Sequence, residues 1–193
     1  MATEDNIWVL NFLPRLEESL GAANLLGVAC RVMQGVKLPY ACEITEYEDS
    51  RPRRQIMPSY LADLVVADVR ANDRWVPRVV LECRARQISP YAALNHDMKA
   101  EAHKRVHPYL RYGLLLGKQH QGRLSGRVLR HGSHLDFMMV WQGLEPSDGE
   151  WDRFVRVLAE EVEASRRLEV ILKGRSTINV PTYTVMRRKL DFE

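Results

Sequence analysis

The chain has 193 residues, 46% of them apolar and 27% charged, with a formal net charge of +3; this is the balance of one water-soluble domain long enough to bury a core. No run of about 18 apolar residues occurs, which excludes a membrane-spanning helix, and the opening MATEDNIWVL lacks the basic segment of a secretory signal. Cys30, Cys42 and Cys83 show no CxxC spacing and are odd in number, which argues against a disulfide framework or a zinc site and suits a reducing cytoplasm.

In chain order, Ile7-Trp8-Val9-Leu10 is followed by a predicted helix from about Pro14 to Met33, with Pro at the first helical position. Leu13, Leu16, Leu20, Ala23 and Gly27 form its apolar stripe, and Glu17 flanks that stripe. Gly35 is the expected terminator. Tyr40 to Tyr47 alternates as a strand with one wet face, and Arg51-Pro52-Arg53-Arg54 reads as a loop. Leu64-Val65-Val66 and Val79-Val80-Leu81 mark two strands around a turn at Asn72-Asp73. Next come a helix over roughly Ser89 to His107, with Tyr91, Leu94, Met98 and Ala102 as its core face, and a buried strand over Tyr112 to Gly117.

Gln121 to His134 is rich in Gly, Arg and His and is expected to be an exposed connection. Leu135 to Trp141 is a further apolar strand. Ser147-x-x-Glu150 reads as a capping box opening a helix whose buried face is Trp151, Phe154, Val155, Leu158 and Val162. The tail from Gly174, with Pro181 and the alternating Thr182-Tyr183-Thr184-Val185, is expected to be an edge strand or an arm toward a partner chain. No GxGxxG or GxxxxGK[ST] loop occurs, so no nucleotide cofactor is expected.

Two carboxylates, Asp63 and Glu82, are thus delivered from neighbouring strands, where a hard cation can be held. Between Lys99 and Arg130 stand eight Lys or Arg against the single acid Glu101. Because this run follows the two acidic strands, Lys104, Arg105, Lys118, Arg123, Arg127 and Arg130 are candidate contacts to nucleic-acid phosphates.

Ala62-Asp63, then Glu82-x-Arg84 nineteen positions later at the end of an apolar strand, then a helix and another apolar strand, resembles the PD-(D/E)xK nuclease superfamily. The resemblance implies a restriction endonuclease-like α/β fold: a central mixed sheet flanked by helices, one domain over 1–193 with its core at about 14–118 and a strand, helix and basic tail at 135–193. It implies Mg²⁺-dependent DNA cleavage, with Mn²⁺ able to substitute, of restriction, phage-defence or repair type. Asp63, Glu82 and the Cys83 carbonyl would supply the metal's protein oxygens, and Glu17 would match the further acid that a preceding helix often supplies. The superfamily's usual Lys is Arg84 here. Either Arg84 serves electrostatically, although it cannot deprotonate, or Lys99 on the next helix takes the lysine's place. The alternative function is a catalytically inactive nuclease fold acting as a DNA-binding or assembly module. A homodimer formed through the C-terminal arm would supply the second site that a double-strand break needs.

Overall fold

Two strands that are apolar on both faces fix the centre of the molecule. Leu64 to Ala67 and Val79 to Leu81 are fully buried, so helices must cover the sheet on each side. The computed structural model of the chain describes residues 3–22, 29–118 and 124–173. Its elements run α1 (Glu4–Ala22), β1 (Cys30–Pro39), β2 (Glu43–Glu48), β3 (Arg51–Ile56), β4 (Ser59–Val69), β5 (Trp75–Arg84), α2 (Pro90–Val106), β6 (Arg111–Leu116), α3 (Gly126–Arg130), β7 (Phe137–Val140) and α4 (Asp148–Lys173). Five strands form one mixed sheet in the order β1-β4-β5-β6-β7. β1, β4 and β5 pair antiparallel, whereas β6 and β7 join in parallel. The fold is therefore α/β with a helix-flanked mixed sheet, as expected. No helix among the described residues is long and apolar enough to cross a membrane.

One face of the sheet packs on α1 and α4. There Trp8, Phe12, Trp141, Trp151 and Phe154 meet edge-on or tilted, with ring centroids 5.3 to 6.5 Å apart, an arrangement that adds quadrupole attraction to the buried area. α4 is also held electrostatically. Between Val66↔Val79 and Ala67↔Pro77 the register slips, leaving Arg78 without a β4 partner, and a bulged residue is re-aimed. Arg78, 1% exposed, meets Asp68 at 2.7 Å and Glu169 of α4 at 2.7 Å, while Arg166 of α4 reaches Asp68 at 2.6 Å. The other face packs on α2, through Ala100, Val65, Val80, Leu110 and Tyr112.

Several expectations are corrected. α1 begins ten residues before Pro14 and ends at Ala22, and Met33 lies in β1. Pro14 sits inside the helix, a position that costs about 3 kcal/mol. Burial of Trp8 and Phe12 before it and Leu16 and Leu20 after it outweighs that cost. Gly35 terminates no helix; it occupies β1 at φ +64°. Arg51 to Arg54 belongs to β3 and not to a loop, and β2 has no dry face, since every residue of both strands is exposed. On α2 the range was legible, with Ser89 as N-cap and His107 as C-cap, but the face was not. Tyr91, Leu94 and Met98 are exposed, whereas Ala93, His96, Asp97, Ala100 and His103 are buried. The expected connection at 121–134 contains α3, and the tail from Gly174 lies outside the described residues.

Candidate functional site

Antiparallel register brings the two acids together. Leu64 pairs with Leu81, so the next step along each strand sets Asp63 beside Glu82 on the face covered by α2. One Asp63 carboxylate oxygen, Oδ2, accepts the Cys83 backbone N–H at 2.9 Å; Cys83 thus enters the site through its peptide while its thiol stays buried. Burial raises the Asp63 pKa, and the neighbouring Glu82 charge raises it further, against the opposing pull of the Cys83 N–H, Arg84 and Lys99.

Glu82 is fully buried and surrounded by donors. Its Oε1 accepts the Tyr112 hydroxyl at 2.7 Å, and Lys99 Nζ lies 3.2 Å from Oε2. His96 Nδ1 stands 3.0 Å from the same Oε2, off the line of a well-formed hydrogen bond. Burial alone would raise this carboxyl, but His96, Lys99 and Tyr112 outweigh it and hold the pKa at about 2. Tyr112 pays in the opposite sense: burial and the adjacent Glu82 push its hydroxyl well above the ordinary value.

Arg84 is braced rather than free. Its Nη1 donates to Asp5 Oδ2 at 2.6 Å and its Nε to His96 Nε2 at 3.1 Å, while the Ala85 N–H donates to the other Asp5 oxygen at 2.7 Å. His96 thus stands between Arg84 and Glu82, its Nε2 toward the guanidinium and its Nδ1 toward the carboxylate. Asp5 lies in the first turn of α1, so a helix before the sheet does bring an acid to this place, but not at Glu17. Glu17 is exposed and twelve residues further along α1, about 18 Å at 1.5 Å per residue. Lys99, projecting from α2, also donates to the Leu61 carbonyl at 3.3 Å.

The structure thus brings together Asp63, Glu82, Arg84, Lys99 and the Cys83 peptide, and it leaves Glu17 outside. Asp5, His96 and Tyr112 were missed. His96 stands three residues before Lys99, one helical turn on the same face, and that spacing was the available signal. Asp5 had none, since its partner is 79 positions away.

The basic segment divides. Lys104 is turned inward, donating to the His134 carbonyl at 2.6 Å and pairing with Asp136 at 2.7 Å. Arg105 pairs with Glu101 one turn earlier on the α2 surface. Lys118, Arg127 and Arg130 are exposed, and Arg123 lies outside the described residues.

Among the described residues, no three His, Cys, Asp or Glu side chains converge as a ready-made metal cage. Mg²⁺ needs none, because it is held by one or two carboxylates and completed by water. Asp63 Oδ1 makes no hydrogen bond among the described residues, and the repulsion between Asp63 and Glu82 is of the kind a divalent cation relieves. The donor set fits a hard cation, provided Lys99 yields part of its hold on Glu82. No protein-family model matches the chain, and no curated protein matches it.

Proposed function

We propose that the chain is a metal-dependent phosphodiesterase acting on DNA, of the PD-(D/E)xK kind, with Lys99 standing in for the motif's lysine. The observation that carries this reading is the meeting of Lys99 Nζ with Glu82 Oε2 at 3.2 Å, from a different element, beside Asp63 on the adjacent strand. Asp63 and Glu82 are the carboxylates that would hold Mg²⁺ or Mn²⁺. The ion would supply neutralisation of charge on the phosphoryl oxygens and a bound water of lowered pKa. Lys99 is a compact ammonium placed to hold the attacking oxygen, a task that suits it better than a planar guanidinium committed to Asp5 and His96. Arg84 is a positioning residue: it fixes the His96 ring, whose Nδ1 faces Glu82. Lys118, Arg127 and Arg130 remain available for phosphate contacts.

A second reading, a nuclease fold retained as a DNA-binding or assembly module, is favoured by one observation: both Glu82 oxygens are already engaged by the chain's own side chains. Supercoiled DNA incubated with Mg²⁺ or Mn²⁺ separates the two. Wild type is expected to nick or linearise it, and chelator or Asp63→Asn to stop the reaction. Lys99→Ala should slow it on the order of 100-fold or more, as expected for loss of one positioned charge, with Arg84→Ala milder. No cleavage by wild type under either metal, with DNA binding intact, makes the module reading correct.

A further inference from the structure

An ionised carboxylate offers two acceptor positions on each oxygen, and at Glu82 the chain's own groups face all of them. Oε1 accepts the Tyr112 hydroxyl at 2.7 Å and lies 3.4 Å from Lys99 Nζ, while Oε2 lies 3.2 Å from the same Nζ and 3.0 Å from His96 Nδ1. A cation that takes oxygen from Glu82 has to displace one of these three. They differ in their freedom to leave. Tyr112 and His96 are both buried, Tyr112 stacked on the His103 ring at 5.7 Å between centroids and His96 tied through Nε2 to Arg84 at 3.1 Å. The Lys99 side chain is 28% exposed, and its unbranched stem can carry the ammonium into water. Lys99 is the group that yields.

Its place makes the exchange economical. Because Nζ bridges both Glu82 oxygens, its withdrawal frees one position on each at once. Beside them stands Asp63, whose Oδ2 is held by the Cys83 N–H at 2.9 Å and whose Oδ1 makes no hydrogen bond among the described residues. Two adjacent carboxylates attract a divalent cation more strongly than one ammonium, and the two cations repel each other if both sit against Glu82. The displaced ammonium stays at hand. Nζ also donates to the Leu61 carbonyl at 3.3 Å, two residues before Asp63 on β4.

We propose that Lys99 and the divalent cation compete for Glu82: Lys99 is the carboxylate's own counter-ion, the arriving ion displaces it, and the ammonium, kept near by the Leu61 carbonyl, is thereby freed to hold the attacking oxygen. The inference rests on the reading of Asp63 and Glu82 as a metal centre. It gives one residue two effects of opposite sign, since Lys99 weakens binding of the ion and speeds the reaction. A lysine that only braced the fold would not show that pair.

The test is calorimetric titration of the full chain with Mn²⁺ alone, at one neutral pH and moderate salt, for wild type, Asp63→Asn, Lys99→Met and Lys99→Arg. Lys99→Met keeps the stem and removes the charge, whereas Lys99→Arg keeps the charge and can grip both carboxylate oxygens in a fork. Wild type is expected to bind and Asp63→Asn to lose the binding. Lys99→Met should bind at least about tenfold tighter than wild type, even as it slows cleavage of DNA, and Lys99→Arg no tighter. Lys99→Gln repeats the measurement should Lys99→Met lose its thermal melt, because its amide still donates to Glu82. Mn²⁺ bound by Lys99→Met and not by wild type supports the proposal in its strongest form. Binding that Asp63→Asn abolishes and Lys99→Met leaves unchanged or weakens overturns the competition while the metal centre stands, as does Lys99→Arg binding as tightly as Lys99→Met. No Mn²⁺ binding by any of the four chains, or binding that survives Asp63→Asn, overturns the metal centre and the proposal with it.

Discussion

Replacing Glu82 by Gln isolates the charge at the centre of the site. The side chain keeps its shape and an oxygen for the Tyr112 hydroxyl, but its amide hydrogens now face Lys99 and His96 Nδ1. Glu82 is fully buried and its pKa is displaced from an ordinary 4.5 to about 2. A displacement of that size, converted at about 1.4 kcal/mol per tenfold change in proton affinity, gives roughly 3 kcal/mol favouring the folded state. The folded pKa is the lower one, so this stabilisation is complete above about pH 4.5 and is lost as the pH falls toward 2. Asp63 opposes the loss slightly, because removing Glu82 lifts a repulsion that raises its pKa. Urea denaturation of wild type and Glu82→Gln should therefore differ by roughly 3 kcal/mol at pH 7, with the two curves converging below pH 4.5. Asp68, Glu150 and Glu169, also held low, destabilise both proteins alike on acidification and cancel in the difference. Curves that stay parallel from pH 7 to 3 would refute the argument that Glu82 is ionised and paired in the fold.

Two further perturbations probe the frame. Asp68→Ala strands Arg78, 1% exposed, with Glu169 as its remaining acid and removes the Arg166 contact; it should cost about 3–5 kcal/mol and lower Tm by on the order of 10 °C in calorimetry. A loss under 1 kcal/mol means the network does not hold α4. Gly113→Ala sets a methyl 2.2 Å from Phe137 Cζ across the β6–β7 pair and should cost about 1–3 kcal/mol, with Phe137→Leu in the same chain recovering part of it; equal chemical denaturation midpoints for wild type and Gly113→Ala count against that packing.

Helices and strands whose buried faces are apolar were legible in the sequence. The Ser147 and Glu150 side chains do cap α4, with the Ser147 N–H donating to Glu150 at 2.8 Å, and its predicted face is the buried one. Asn72 and Asp73 do turn, at φ 60° and 54°. The α2 face failed because its inward side carries His96, Asp97 and His103, so a rule that sends apolar residues inward selects the opposite side. Asp97 is stable there because its two oxygens accept from His134 and Ser133, partners set by a later turn. In sequence Lys99 stands out as flanking the apolar side of α2, which proves to be the exposed one; it reaches Glu82 because it also borders the polar inward side. Asp63 and Glu82 were found from strand pattern alone, since register between neighbouring strands is a local property. Asp5 was not, because a bond across 79 positions leaves no periodic trace.

The tie between Asp5 and the end of β5 also has an order in time. Asp5 leaves the ribosome long before Arg84, and β1, the next strand made, already meets α1, with Gln34 Nε2 donating to the Asn6 carbonyl at 2.8 Å and Val32 in the same apolar cluster as Leu16 and Leu20. The anchorage of α1 is completed by the aromatic cluster, to which Trp141, Trp151 and Phe154 contribute, and these are made well after Arg84. A chain paused after β6 has its carboxylate pair in register while α1 still lacks the part of its packing that Trp141, Trp151 and Phe154 supply. The last helix among the described residues therefore bears on Arg84 through the first, and damage to α4, on the sheet face opposite Glu82, is expected to reach the site by loosening α1.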